Sequence, residues 1–83
     1  MSNVLTDHTI KTLLVAVGAD PAIETTDFDA SFEDLDLDSL ARAEFAARVR
    51  EATGVDVEDR LDPTVTPSAV RRMVLDQLST VDG

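Results

Sequence analysis

No cysteine, tryptophan or tyrosine occurs in the sequence, and phenylalanine occurs only three times. The first absence excludes a disulfide framework and any cysteine-based metal or redox site, so the fold rests on packing alone. The lack of aromatics leaves the core to Leu, Val, Ile and Ala. Basic residues are scarce: seven Lys and Arg stand against seventeen Asp and Glu, for a formal charge of −10 and a pI near 4.1. Such a surface repels phosphate backbones and anionic membranes, which argues against nucleic acid or membrane as partners and favours a basic protein surface. No apolar stretch approaches membrane-spanning length, and Met1 to His8 contain no basic segment followed by an apolar run. A soluble, cytoplasmic protein is expected.

A chain of 83 residues holds one compact core and is too short for two, so a single domain over residues 1–83, acting as a monomer, is expected. A core this small leaves little volume for an enclosed pocket with several convergent polar groups. Enzymatic catalysis is disfavoured on that ground, and no residue is assigned a catalytic role.

Apolar residues Leu5, Ile10, Leu13, Leu14 and Val17 recur at three- and four-residue spacings and predict helix one over about Thr6 to Val17. Thr6 or Asp7 suits its start; Gly18, followed by Asp20-Pro21, suits its end. From Gly18 to Asp38 helical periodicity is lost, and eight acidic residues occur without a Lys or Arg. A disordered acidic linker has no use for Ile23, Phe28, Phe32, Leu35 and Leu37, so the segment is expected to be a structured loop pinned to the helices by these side chains. Helix two is expected from Asp38 or Ser39 to near Thr53, capped by Gly54, with Leu40, Phe45, Val49 and Ala52 on its inner face and Ala43, Ala46 and Ala47 allowing close approach. About one helical turn fits between Glu58 and Pro63. Thr66-Pro67 opens the last helix, with Val70, Met73, Val74 and Leu78 as its stripe, and fraying is expected from Ser79 to Gly83.

Ser39 lies where an acidic loop becomes a helix. Its hydroxyl is expected to be exposed beside the free N–H groups of the first turn, a position that favours an attached anion and that another enzyme can reach. Asp38 and Ser39 are also common helix caps, and the dipeptide alone says no more than that. The longer segment Asp34-Leu-Asp-Leu-Asp38-Ser39-Leu40, followed by a helix carrying Glu44, resembles the Asp-Leu-Gly-x-Asp-Ser-Leu signature of acyl carrier proteins. The likeness extends over helix one, the long loop, Gly54-Val55 and the Thr66-Pro67 helix start.

The resemblance implies an all-α four-helix bundle, with three main helices, one short helix and a long loop between helices one and two. It implies 4′-phosphopantetheine, derived from coenzyme A, esterified to Ser39 by a phosphopantetheinyl transferase. Growing acyl chains would ride as thioesters on the arm's thiol, which supplies the sulfur that the chain lacks. Asp38 would engage the transferase, and Leu40 and Glu44 would be read by partner enzymes. For Leu40 core packing is an equal alternative, and for Glu44 a solvated helix face. The free-standing chain, with Gly54-Val55, the Thr66-Pro67 entrance and an Ala- and Arg-rich helix two, looks most like carriers of dissociated bacterial polyketide synthases. Ketosynthase, acyltransferase and tailoring enzymes would then be the partners. Fatty acid synthesis is the alternative pathway, and a small acidic adaptor without a covalent group is the alternative of another class. An acyl chain is expected to fold back between helices two and three, where Ala and Val leave room. Two departures stand out. Asp36 occupies the usual Gly position, and helix two carries Arg42, Arg48 and Arg50 where many relatives are strongly acidic.

Other chemistries fail on residue type. Asp34, Asp36 and Asp38 imitate the opening of a calcium loop, but its sixth position is Ser39 instead of Gly and its twelfth is Phe45 instead of Glu, so no metal site is expected. A hydrolase built on Ser39 lacks a base, because the single histidine, His8, lies in helix one. Arg71-Arg72 reads as a solvated basic face.

Overall fold

The computed structural model describes the backbone of residues 5–80 and the side chains of residues 5–78. Three α-helices, α1 (Asp7–Ala16), α2 (Ser39–Thr53) and α3 (Pro67–Thr80), form the frame. Two 3-10 turns, Thr25–Asp29 and Glu58–Arg60, interrupt the connections, and the described residues contain no strand. The expected short helix, about one turn before Pro63, is a single 3-10 turn over Glu58–Arg60. A second such turn, unforeseen, lies inside the long loop. Ser79 and Thr80 are helical, against the expected fraying; residues 81–83 lie outside the described residues.

Each helix begins on the side chain that its sequence offers. Thr6 Oγ1 accepts from the Thr9 N–H at 3.2 Å to open α1, and Thr66 Oγ1 accepts from the Ala69 N–H at 3.0 Å to open α3, with Pro67 in the first helical position. The α1 helix stops in a Schellman motif: the Ala19 N–H reaches Leu14 O at 2.9 Å and the Gly18 N–H reaches Val15 O at 3.1 Å. Gly18, at φ 117°, takes the left-handed position there. The α2 helix ends on Gly54 at φ 79°, whose N–H bonds to Arg50 O at 2.7 Å.

One core joins these elements. Leu5, just before α1, and Ile10 and Leu14 within it enter the core, joined by Phe45, Ala46 and Val49 from α2 and Val70 and Val74 from α3. The loop contributes Ile23, Phe28, Phe32 and Leu37, so the loop is structured by its apolar side chains, as its composition implies. It is also hydrogen-bonded to the approach to α3: Phe32 N–H donates to Val65 O at 2.9 Å and Glu33 N–H to Pro63 O at 3.0 Å. Arg71 adds an ion pair from α3 to Asp7 at the start of α1, so it is not simply a solvated cation.

The inner face of α2 differs from expectation. Leu40 is 74% exposed and Ala52 is exposed, whereas Ala46, expected only to permit close approach, is buried. At 3.6 residues per turn, the nine positions from Leu40 to Val49 carry Leu40 to about the opposite side of the helix. Alanines on every side of α2 hide that phase in the sequence. Leu78 in α3 is likewise 38% exposed and lies at the edge of the stripe.

Candidate functional site

Asp38 is extended, at φ −77° and ψ −174°, and its Oδ1 accepts from the Ala41 N–H at 2.9 Å. This cap makes Ser39 the first helical residue of α2 and leaves the N–H groups of the first turn directed toward the loop. Ser39 is exposed, and its hydroxyl has no hydrogen-bond partner among the described residues.

The chain reaches this point through a tight turn. Leu37 N–H bonds to Phe32 O at 2.9 Å and Asp36 N–H to Glu33 O at 3.1 Å, the same Schellman pattern that ends α1. Its left-handed residue is Asp36, at φ 61°, the only non-glycine with positive φ among the described residues. The departure from glycine therefore leaves the left-handed backbone in place, because Asp is one of the few other residues that visits this region. Phe32 and Leu37, at the two ends of the motif, are both buried, which pins the turn to the core and fixes where Ser39 emerges.

Between this turn and the approach to α3 lies an open groove of about 460 Å³ whose lining includes Glu33, Asp36, Asp38, Ser39, Arg42 and Pro63. Arg42 is the one cation of that lining. It is half-buried, and its Nη1 donates to Leu37 O at 3.2 Å. On the far side, the hydrogen bonds that Asp62 accepts from the Thr64 hydroxyl and N–H hold its carboxyl below the usual value of 3.8, with a smaller contribution from the Arg42 charge.

Of the residues singled out in the sequence, Asp38 and Ser39 share this groove, while Leu40 points away from the core. Glu44 is exposed and faces Arg48 at 3.7 Å. Leu40 and Glu44, four residues apart, are neighbours on the outer face of α2. His8 lines a separate groove with Lys11 and Pro21. No group of three or more potential metal ligands is assembled among the described residues. Arg42 belongs to the site although sequence reasoning treated it only as a departure in charge; its signal was its position three residues after Ser39.

Residues 8–70 match the family described as the phosphopantetheine attachment site. The chain belongs to that family. Comparison with curated proteins and with solved structures gave no match. Carrier domains of this family bear 4′-phosphopantetheine covalently, receive it from a phosphopantetheinyl transferase and work with partner enzymes. When attached, the group supplies a terminal thiol that holds acyl cargo as a thioester.

The matched span contains three serines, of which Ser39 alone is exposed. Ser31 is half-buried and its hydroxyl accepts from the Asp34 N–H at 3.1 Å. Ser68 is half-buried in the first turn of α3. Ser39 is exposed, unpaired and at a helix start, where N–H groups and the helix dipole favour a phosphodiester by about 0.3–1 kcal/mol. The residues around Ser39 fit the group. No helix among the described residues is long and apolar enough to cross a membrane.

Proposed function

We propose that Ser39 bears the phosphopantetheine and that the chain, one carrier domain over residues 1–83, shuttles growing polyketide intermediates between the enzymes of a dissociated synthase. The observation that carries the reading is the exposed, unpartnered hydroxyl of Ser39 at the start of α2, within the span that matches the family. In the attachment step the Ser39 oxygen bonds to the phosphorus of coenzyme A that bears pantetheine. The pyrophosphate bond breaks, 3′,5′-adenosine bisphosphate leaves, and the hydroxyl proton passes to a base on the transferase. The carrier itself contributes position and access, not catalysis.

Asp38 is proposed to engage the transferase, and Leu40 and Glu44 to contact ketosynthase, acyltransferase and tailoring enzymes. The exposure of Leu40 and Glu44 on one face of α2, and of Asp38 at its start, supports that assignment. The acidic surface suits brief docking on basic partners in the cytoplasm, with contacts that salt weakens and that therefore release. A polyketide role is favoured over fatty acid synthesis by the Ala- and Arg-rich α2, by Gly54-Val55 and by the Thr66-Pro67 helix start. The folded-back chain would lie along an open groove of about 410 Å³ between α2 and the second 3-10 turn, where Ala46 and Ala47 are the apolar part of a lining that also includes Arg50, Glu51, Asp56 and Glu58.

Intact-mass measurement after incubation with coenzyme A and a phosphopantetheinyl transferase tests the central assignment. The parent is expected to gain one phosphopantetheine, and Ser39→Ala none while keeping its helical circular dichroism. An unmodified parent, or a modified Ser39→Ala, overturns the assignment. Loading rates of the modified protein on polyketide and fatty acid ketosynthases then distinguish the pathways.

A further inference from the structure

We infer that Arg42 grips the phosphodiester of the prosthetic group and positions the first bonds of the arm, an inference that rests on Ser39 as the attachment residue. Three residues separate Arg42 from Ser39, which places both on one side of α2, and both line the same groove. The guanidinium is already drawn back toward the helix start by its bond to Leu37 O at 3.2 Å. It is half-buried, so part of its rotamer freedom is lost before any ligand arrives.

Arg42 is also available. Arg48 and Arg71 each face a carboxylate, Glu44 and Asp7 respectively, but Arg42 has none within ion-pair distance among the described residues. Glu33, Asp36 and Asp38 line its groove, yet Asp38 directs Oδ1 to the Ala41 N–H. Asp62, close enough to feel the Arg42 charge, is engaged with Thr64. A phosphodiester on Ser39 therefore meets three acidic side chains and one cation. The acids repel it. The planar fork of the guanidinium, with donors left over after Leu37, matches two phosphate oxygens and offsets that repulsion. The same anchor confines the arm near the start of α2 and yields as salt rises.

The test uses the modified protein, with mass measurement first confirming one phosphopantetheine on Ser39. Failure at that step is failure of the attachment assignment, distinct from failure of the Arg42 contact. The 31P resonance of the phosphodiester and the 15Nε resonance of Arg42 are then recorded at low and at high salt. At low salt the Arg42 15Nε resonance is expected to shift between unmodified and modified protein, while that of Arg50, which lines the groove between α2 and the second 3-10 turn, stays fixed. Arg42→Gln is expected to move the 31P shift and line width toward those of the modified protein unfolded in urea, and Arg42→Lys to lie between. Raising the salt is expected to move the parent toward Arg42→Gln and to leave the variant unchanged. An Arg42 15Nε resonance indifferent to modification overturns the inference even if the variants fold poorly. So does a 31P signal identical in parent and a folded Arg42→Gln.

Discussion

The rings of Phe32 and Phe45 lie with centroids 5.3 Å apart and planes tilted by 60°, so the long loop and α2 meet in one aromatic contact. Both residues are essentially inaccessible. Phe32 starts the turn that delivers Ser39, and Phe45 sits on the helix that Ser39 begins, so the pair sets the geometry at which the serine is presented. Phe32→Ala and Phe45→Ala are each expected to cost about 3–5 kcal/mol in urea unfolding, comparable with the whole stability of a domain this size. The double variant should fall short of the sum by about 0.5–1.5 kcal/mol, the specific ring–ring share.

Asp36 holds a left-handed conformation, φ 61°, in a turn of the same type as the one in which Gly18 ends α1. That region costs an ordinary L-residue about 1–2 kcal/mol, and Asp somewhat less. Glycine removes this cost but adds freedom to the unfolded chain, worth about 0.5–1 kcal/mol. Asp36→Gly is expected to be stabilising by a few tenths of a kcal/mol, and Asp36→Val to be destabilising by about 1 kcal/mol, both read from thermal or urea unfolding. Gly54→Ala provides the converse. No atom lies within 4 Å of an added Cβ, so its cost of about 1 kcal/mol would be purely conformational at φ 79°.

The helix ends were legible because particular residues announce them: Thr66-Pro67 and Gly54 occupy the cap positions that their chemistry favours. The loop's contribution to the core was legible from Phe28, Phe32 and Leu37, which a solvated linker would not carry. The 3-10 turn at Thr25–Asp29 was not, since a single turn has no repeat to detect; its start is fixed locally by the Glu24 N–H bonded to Asp27 Oδ2 at 2.9 Å. The phase of α2 was obscured by its alanines, which tolerate burial and exposure alike. Within the site, the helix start at Ser39 followed from the sequence signature. The reach of Arg42 back to Leu37 O did not, because a long side chain has many rotamers and only the folded groove selects one.

Asp38 combines two roles that separate variants can divide. Its bond to the Ala41 N–H at 2.9 Å makes it a helix cap, and Asp38→Ala is expected to cost about 1 kcal/mol. Asp38→Ser retains a capping oxygen and should keep stability within about 0.5 kcal/mol. If the carboxylate is also read by the transferase, Asp38→Ser slows phosphopantetheinylation about tenfold, a difference of about 1.4 kcal/mol. Equal rates for Asp38→Ser and the parent would confine Asp38 to capping.

Asp62 gives the stability a defined pH dependence. Its carboxyl is lowered in the folded protein, chiefly by the Thr64 hydroxyl bond, so the folded state binds its proton more weakly than the unfolded state. The contribution is therefore complete above the ordinary value of 3.8 and is lost as pH falls through the lowered one. Asp62→Asn keeps an acceptor for Thr64 but cannot ionise. The gap in melting temperature between parent and Asp62→Asn is expected to hold from pH 7 to about pH 5 and to narrow below pH 4. A gap that widened on acidification would contradict the assignment.

Leu40 is the position at which packing and recognition give opposite answers. A core leucine cut to alanine costs about 2–5 kcal/mol, whereas a leucine 74% exposed has little of that to lose. Leu40→Ala is therefore expected to alter unfolding by no more than about 0.5 kcal/mol, while Val49→Ala, from the opposite side of α2, costs about 2 kcal/mol. An exposed leucine four residues before Glu44 makes sense as an apolar point buried only when a partner docks, where its full burial contributes about 1.5–3 kcal/mol. Leu40→Ala should then lower kcat/KM for acyl transfer by about tenfold or more, with the carrier as the varied substrate. Because the fold is untouched, the loss would be attributable to docking. Unchanged transfer by a folded Leu40→Ala would leave Glu44 and the acidic loop as the surfaces that partners read.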